Sequence, residues 1–223
     1  MEKLLALYDK YILKIGVSIA IAFIALYPKL PSIQITHTWV YIRLEDFLIA
    51  LLGIIWIVQV LRKKVKLPLT QGWAIILYWI IGLASLLYCL VFIAPHLAHF
   101  FPKIAWFQYL RRIEYMILFF IGFSSVRDKK DIRDYIIILF ATITGISLYA
   151  IGQRFYMQLW HMFPEFFKQL PFCFPAFLTG NEEFAKGTPL CLTETSRITS
   201  TFGGHYDLAA YFVFTIPILI GVF

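Results

Sequence analysis

Phe47-Leu48-Ile49-Ala50-Leu51-Leu52-Gly53-Ile54-Ile55-Trp56-Ile57-Val58-Gln59-Val60-Leu61 is a run in which Gln59 is the only strongly polar side chain. It stops on Arg62-Lys63-Lys64-Val65-Lys66. A run with neither a period-2 alternation nor a polar stripe at helical spacing describes a helix that is apolar all round, as a membrane span is. The basic cluster that ends it reads as a cytoplasmic flank, because Lys and Arg concentrate on that side.

The chain on either side repeats the pattern. Tyr11–Tyr27 precedes it, long enough to span once Lys10 and Lys14 snorkel, and Pro28-Lys29-Leu30-Pro31 stops it because proline lacks the donor. Ile33–Ile42 is too short and too polar to cross. Trp73–Phe92 follows and stops before Pro95. Ile113–Ser125 ends on Arg127-Asp128-Lys129-Lys130, and Tyr135–Ile151 and Leu208–Phe223 complete the set. If the runs alternate in direction, both dense basic clusters fall on one side and the N-terminus is cytoplasmic. The N-terminus lacks the short apolar stretch and small-residue cleavage site of a signal peptide, so the first run stays as an anchor.

Composition agrees. Hydrophobic residues make up 61% and charged residues 15% of the chain, with mean hydropathy +0.77. A soluble domain carries roughly 45–50% apolar and about 25% charged residues. The net charge of +7 sits in short clusters between apolar runs and forms no basic domain, which argues against a nucleic-acid partner. The fold class expected is an all-α polytopic membrane protein of about six transmembrane helices, with a long outer loop before the last. Residues 1–151 carry five helices, 152–207 form the outer loop, and 208–223 begin the sixth. The loop's first half, Phe155–Phe177, is dense in Phe, Trp and Met and broken by prolines, so it reads as interfacial or re-entrant. The sixth run's sixteen residues reach roughly 24 Å, short of a ~30 Å hydrocarbon core, so the helix is expected to continue in a longer protein.

The polar, glycine-broken stretch Ser196–Tyr211 runs directly into that sixth run. Taken singly, Asp207 is an N-cap, Gly203-Gly204 a turn and Arg197 a partner for lipid phosphates. Taken together they place an arginine, several hydroxyls, a turn and a helix N-terminus at the outer face. Backbone N–H groups at such a terminus and a bidentate arginine suit a phosphate-bearing ligand. The candidate site is therefore Arg197 with Thr201, Gly203, Gly204, His205 and Asp207. Arg112 and Arg154 are further candidate anion ligands, their alternative reading being snorkelling charges, with Glu114 beside the Arg111-Arg112 pair. Glu45 and Asp46 open the second run, where acidic groups favour a helix N-terminus. His96 and His99 have no Cys or carboxylate beside them, so no metal is expected, and no cofactor is called for. Cys173 and Cys191 share the outer loop, where a disulfide is permitted but not required. Cys89 reads as packing.

Arg197, Ser200-Thr201-Phe202 and Gly204-His205-Tyr206-Asp207-Leu208-Ala209-Ala210-Tyr211 resemble the start of the shared membrane domain in the O-antigen ligase and polymerase-like family. There an arginine is followed by a small-residue turn, often Pro-Asn, then Leu-Ala and an apolar helix. The layout is similar too, with an acidic residue opening the second helix, arginine in the fourth and Gln-Arg after the fifth. The resemblance implies a GT-C-like multi-spanning glycosyltransferase of the bacterial cytoplasmic (inner) membrane, of which this chain is the N-terminal portion. It implies a glycan taken from an undecaprenyl-diphosphate carrier at the outer face, in lipopolysaccharide or other polysaccharide biosynthesis. The acceptor is a lipid A-core sugar, another glycan or a protein hydroxyl. Arg197 takes the family arginine's place at the leaving diphosphate, where preorganised donors are worth most. The family's presumed base, a histidine in a later outer loop, has no counterpart, and His205 does not inherit its role. Asp207 stands where asparagine is commoner. Without the family's later half, this chain alone is expected to be inactive. Two other classes remain: a transporter or flippase for a lipid-linked or anionic substrate, which calls for mid-helix charges and inverted repeats, neither of them visible in the sequence, and a non-catalytic membrane assembly subunit.

Overall fold

The computed structural model describes residues 2–27, 31–34, 41–65, 67–97, 99–162, 198–202 and 204–222. The chain is mostly helical. In order come α1 (Glu2–Leu26), strands β1 (Pro31–Gln34) and β2 (Tyr41–Arg43), α2 (Leu44–Leu61), α3 (Leu69–Tyr88), α4 (Pro102–Ser125), α5 (Lys129–Met162) and α6 (His205–Ile220). The segments 44–61, 69–96 and 129–155 are long and apolar enough to cross a membrane, while Tyr11–Leu26 and His205–Ile220 are shorter apolar helices.

The helices outrun the apolar runs. α4 starts at Pro102, a residue suited to the first helical turn, so Arg111, Arg112 and Glu114 lie within it and not at its entrance. α5 continues to Met162, so 152–162, expected in the loop, are helical. Gln153 and Arg154 end the apolar run, but both are good helix formers and end nothing else. β1 and β2 pair as a two-stranded sheet within what reads in sequence as a linker.

After α3 the backbone widens into one π-turn, Cys89–Ile93, closed by Ala94 N–H donating to the Cys89 carbonyl, before a 3₁₀ turn at Ala94–His96. Pro95 explains the change: it cannot donate to Val91, and its ring crowds that carbonyl.

The described chain divides into two compact units. The first comprises 1–20, 34–42 and 46–131; the second comprises 21–33, 43–45 and 132–223. In the first, α1 runs against α2: Gly16 abuts Leu52, and Asp9 meets Gln59. α4 runs with α2, since Asp46 meets Arg111 at one end and Trp56 donates to Ser124 (3.0 Å) towards the other. α3 opposes α4, with Gly72 against Phe120 and Gly82 near Tyr109, whose hydroxyl donates to the Trp79 carbonyl (2.9 Å). Leu13, Ala20, Ile49, Leu52, Trp56, Phe120 and Ile121 are buried apolar side chains of this unit.

At one end of this unit the basic clusters converge. The Asp9 carboxylate receives a bidentate pair from Arg62 (2.6 and 3.0 Å) and the Gln59 amide (3.1 Å), with Lys64 at 3.7 Å. Arg127 donates to the Asp9 carbonyl at 2.7 Å, and Lys14 pairs with Asp131 at 2.6 Å. Burial raises the Asp9 carboxyl, but the Gln59 hydrogen bond and the Arg62 and Lys64 charges outweigh it and hold it below the ordinary carboxylate value.

In the second unit, Ala25 on α1 and Ile146 on α5 are buried with Phe202 and Leu208. Gly145 permits the close approach of Leu26, at 3.3 Å from where its Cβ would stand.

Candidate functional site

Residues 198–202 carry the chain into α6, and they are held on more than one side. Ser200 has φ +52, the left-handed region, and is 0% exposed. That conformation costs a residue with a Cβ roughly 1–2 kcal/mol. Three hydrogen bonds offset it. The Gln153 side chain on α5 grips the Ser200 backbone, its Oε1 accepting from Ser200 N–H (2.7 Å) and its Nε2 donating to the Ser200 carbonyl (3.0 Å). The Ser200 hydroxyl donates to the Ile146 carbonyl at 2.8 Å. A hydroxyl can donate to a backbone carbonyl of a neighbouring helix, and Ser200 and Thr201 each do so here.

The next residues complete the anchorage. Thr201 is buried and its hydroxyl donates to the Ala25 carbonyl at 2.6 Å. Phe202 N–H closes the turn on the Thr199 carbonyl (3.1 Å), and its ring lies 5.2 Å from that of Tyr211. Of the predicted ligands, Thr201 is thus built into the frame of the turn. Two buried oxygens beside this frame, Thr199 Oγ1 and Tyr211 OH, have no hydrogen-bond partner among the described residues. Buried polar groups are normally satisfied, so these two mark where a ligand or water would be accepted.

Gly204 is the N-cap of α6, with extended backbone (φ −158) and no side-chain cap, so Asp207 is not the cap. It sits exposed in the first turn, where its carboxylate complements the positive end of the helix dipole. His205 is half-buried, its ring 4.0 Å from that of Tyr206. The first-turn N–H groups have no intrahelical acceptor. With one carboxylate already at this terminus, an anion bound here needs an added positive charge.

Arg197 and Gly203 lie outside the described residues, as do Cys173 and Cys191. Arg154 is exposed on α5, one residue beyond the Gln153 clamp. Arg112 belongs to the first unit and is exposed on α4, next to Arg111, which pairs with Asp46 at 3.4 Å. Sequence reasoning missed Gln153 as the organising residue. Its signal was present: a Gln in the Gln-Arg pair at the end of an apolar run must find a partner if buried, and here it is 4% exposed. Among the described residues no group of three or more His, Cys, Asp or Glu side chains is placed to hold a metal ion. No protein-family model, no curated protein and no solved structure matches the chain.

Proposed function

We propose that the chain is the membrane-embedded N-terminal portion of a glycosyltransferase of the O-antigen ligase or polymerase type. It takes a glycan from an undecaprenyl-diphosphate carrier to an acceptor hydroxyl at the outer face of a bacterial inner membrane. The observation that carries this reading is the clamped turn: Gln153 and the Ile146 carbonyl hold a strained, buried Ser200 shortly before α6. Strain of this kind persists only where its surroundings over-determine it, and it concentrates at functional sites. The turn supports a site in which Arg197, three residues upstream, meets the diphosphate and stabilises it as the glycosyl bond breaks. A bundle of six crossings with the N-terminus cytoplasmic belongs to the same proposal. It is supported by the three membrane-length helices, and by Arg62 and Arg127 meeting at Asp9.

The test is Arg197→Ala, expressed from the protein's own gene and scored for transfer of carrier-linked glycan. Transfer is expected to fall at least ~100-fold, the usual consequence of losing one donor to a developing negative charge. Undiminished transfer rejects the assignment.

The transporter or flippase reading gains from one finding, that Arg111, Arg112 and Glu114 lie inside α4. Movement of an isoprenoid-diphosphate lipid across proteoliposomes without glycan transfer would favour it.

A further inference from the structure

The end of the first unit where Arg62 and Arg127 meet Asp9 holds more positive charge than it neutralises. Asp9 is matched by Arg62, and Asp131 by Lys14. Lys64 reaches Asp9 only at 3.7 Å, and Arg127 uses one guanidinium nitrogen on the Asp9 carbonyl. Lys63, Lys64, Arg127, Lys129 and Lys130 are all exposed, with Asp128 as the acidic residue left among them. The other charges of 1–14, 62–66 and 127–134 do not cancel this surplus. Lys10 and Lys66 add to it, Glu2 is offset by Lys3, and Asp134 by Arg133.

The backbone at Lys63 carries a second observation. Lys64 N–H donates to the Gln59 carbonyl and Lys63 N–H to the Val60 carbonyl, both at 2.9 Å, closing α2 in a Schellman turn. Lys63 stands at the left-handed position of that turn, with φ +56, where glycine is the usual residue and a Cβ is a cost. A lysine is thus kept where a residue without charge would fold more easily, and strain of this kind gathers at ligand sites. The surroundings say which ligand. Leu61 and Leu67 on either side of 62–66, and Ile132 just past the second cluster, are exposed apolar side chains. Basic groups bordered by exposed aliphatic ones face the layer where hydrocarbon gives way to lipid phosphate.

We propose that this end of the unit is a binding site for an anionic phospholipid headgroup of the phosphatidylglycerol type. Lys63 and Lys64 approach the phosphate from the end of α2, and Arg127, Lys129 and Lys130 from the turn between α4 and α5. The surplus of cations selects a head of net negative charge over a zwitterionic one, whose ammonium it repels. Binding here needs membrane embedding but not glycosyl transfer, so either result for Arg197→Ala leaves it standing.

The experiment equilibrates the purified full chain with vesicles of dioleoyl phosphatidylcholine and dioleoyl phosphatidylglycerol, 1:1, and weighs the retained lipid by native mass spectrometry. The wild type is expected to retain the glycerol lipid at least ~10-fold over the choline lipid. Lys63→Gly is expected to cut that ratio about fivefold, the equivalent of the ~1 kcal/mol that one lysine contributes at an anionic surface. Because glycine relieves the left-handed strain, the same variant should melt no lower than the wild type. Adding Lys129→Gln and Lys130→Gln should bring the ratio close to one. Lys103→Gln, an equal loss of charge at the opposite end of α4, should leave it unchanged. Equal retention of the two lipids by the wild type overturns the proposal. So does a ratio unchanged in the lysine variants, a lowered melting midpoint in Lys63→Gly, an equal fall in Lys103→Gln, or release of the glycerol lipid by an equal concentration of inorganic phosphate, which would point to a soluble anion.

Discussion

Ser200 shows how one residue's cost is distributed over its neighbours. Gln153→Ala would leave a buried N–H and a buried carbonyl of Ser200 without the partners they have now. A loss of about 2–3 kcal/mol is expected, read as a lowered unfolding midpoint in detergent. Ser200→Gly removes the left-handed penalty while losing one hydroxyl bond, and should change stability by less than about 1 kcal/mol. Ser200→Val keeps the penalty, loses the bond and adds bulk in a 0%-exposed site, and should be the worst of the three. If Gly and Val variants unfold together, backbone strain is not what the clamp opposes. Asp9, which precedes the apolar part of α1, carries a pH signature. Its folded-state pKa lies below the ordinary 3.8. The stability it contributes is therefore present above the unfolded value and is lost as pH falls through the folded one. The melting midpoint of the wild type should drop as pH falls below about 4, and Asp9→Asn, weaker at neutral pH, should show a smaller drop. Hydroxyls at 199–201 are visible in the sequence, but a positive φ is not, because it is imposed by partners 47 and 54 residues away.

At the scale of elements, helices end where hydrogen bonding or backbone geometry ends them, not where apolarity does. That is why α4 and α5 exceed their apolar runs, while the start at Pro102 is readable once the proline is taken as a first-turn residue. Close packing within the first unit can be tested at two glycines. A Cβ on Gly72 would clash with Phe120, whose ring is itself flanked by Trp56 and Trp79 and cannot swing aside freely. Gly72→Ala is expected to cost about 1–3 kcal/mol through overpacking, even after its gain in helix propensity. Gly122 has nothing within 4 Å of such a Cβ, so Gly122→Ala should gain up to about 1 kcal/mol instead. Equal effects at the two positions, in parallel thermal melts, would deny the α3–α4 contact.

For the whole molecule, the six crossings proposed above, with the N-terminus cytoplasmic, fix which charges lie on which side. Cysteines placed at Lys63 and Lys129, both exposed, should react with an impermeant reagent only after the membrane is opened from the cytoplasmic side. Labelling of either from outside would break the arrangement. The sequence alone determined that long apolar helices dominate, because membrane-length hydrophobicity is a sum over neighbouring residues and needs no partner. It also marked the polar entrance to the last helix, since charge and glycine stand out against an apolar background. Only the tertiary structure decided which charges meet. Any of several basic residues is a chemically adequate partner for Asp9, and the antiparallel packing of α1 on α2 brings Arg62 there across 53 positions. The same holds for the stretch ending at Tyr211. Its residue types are local, but the backbone at Ser200 is held by Gln153, a side chain on another helix.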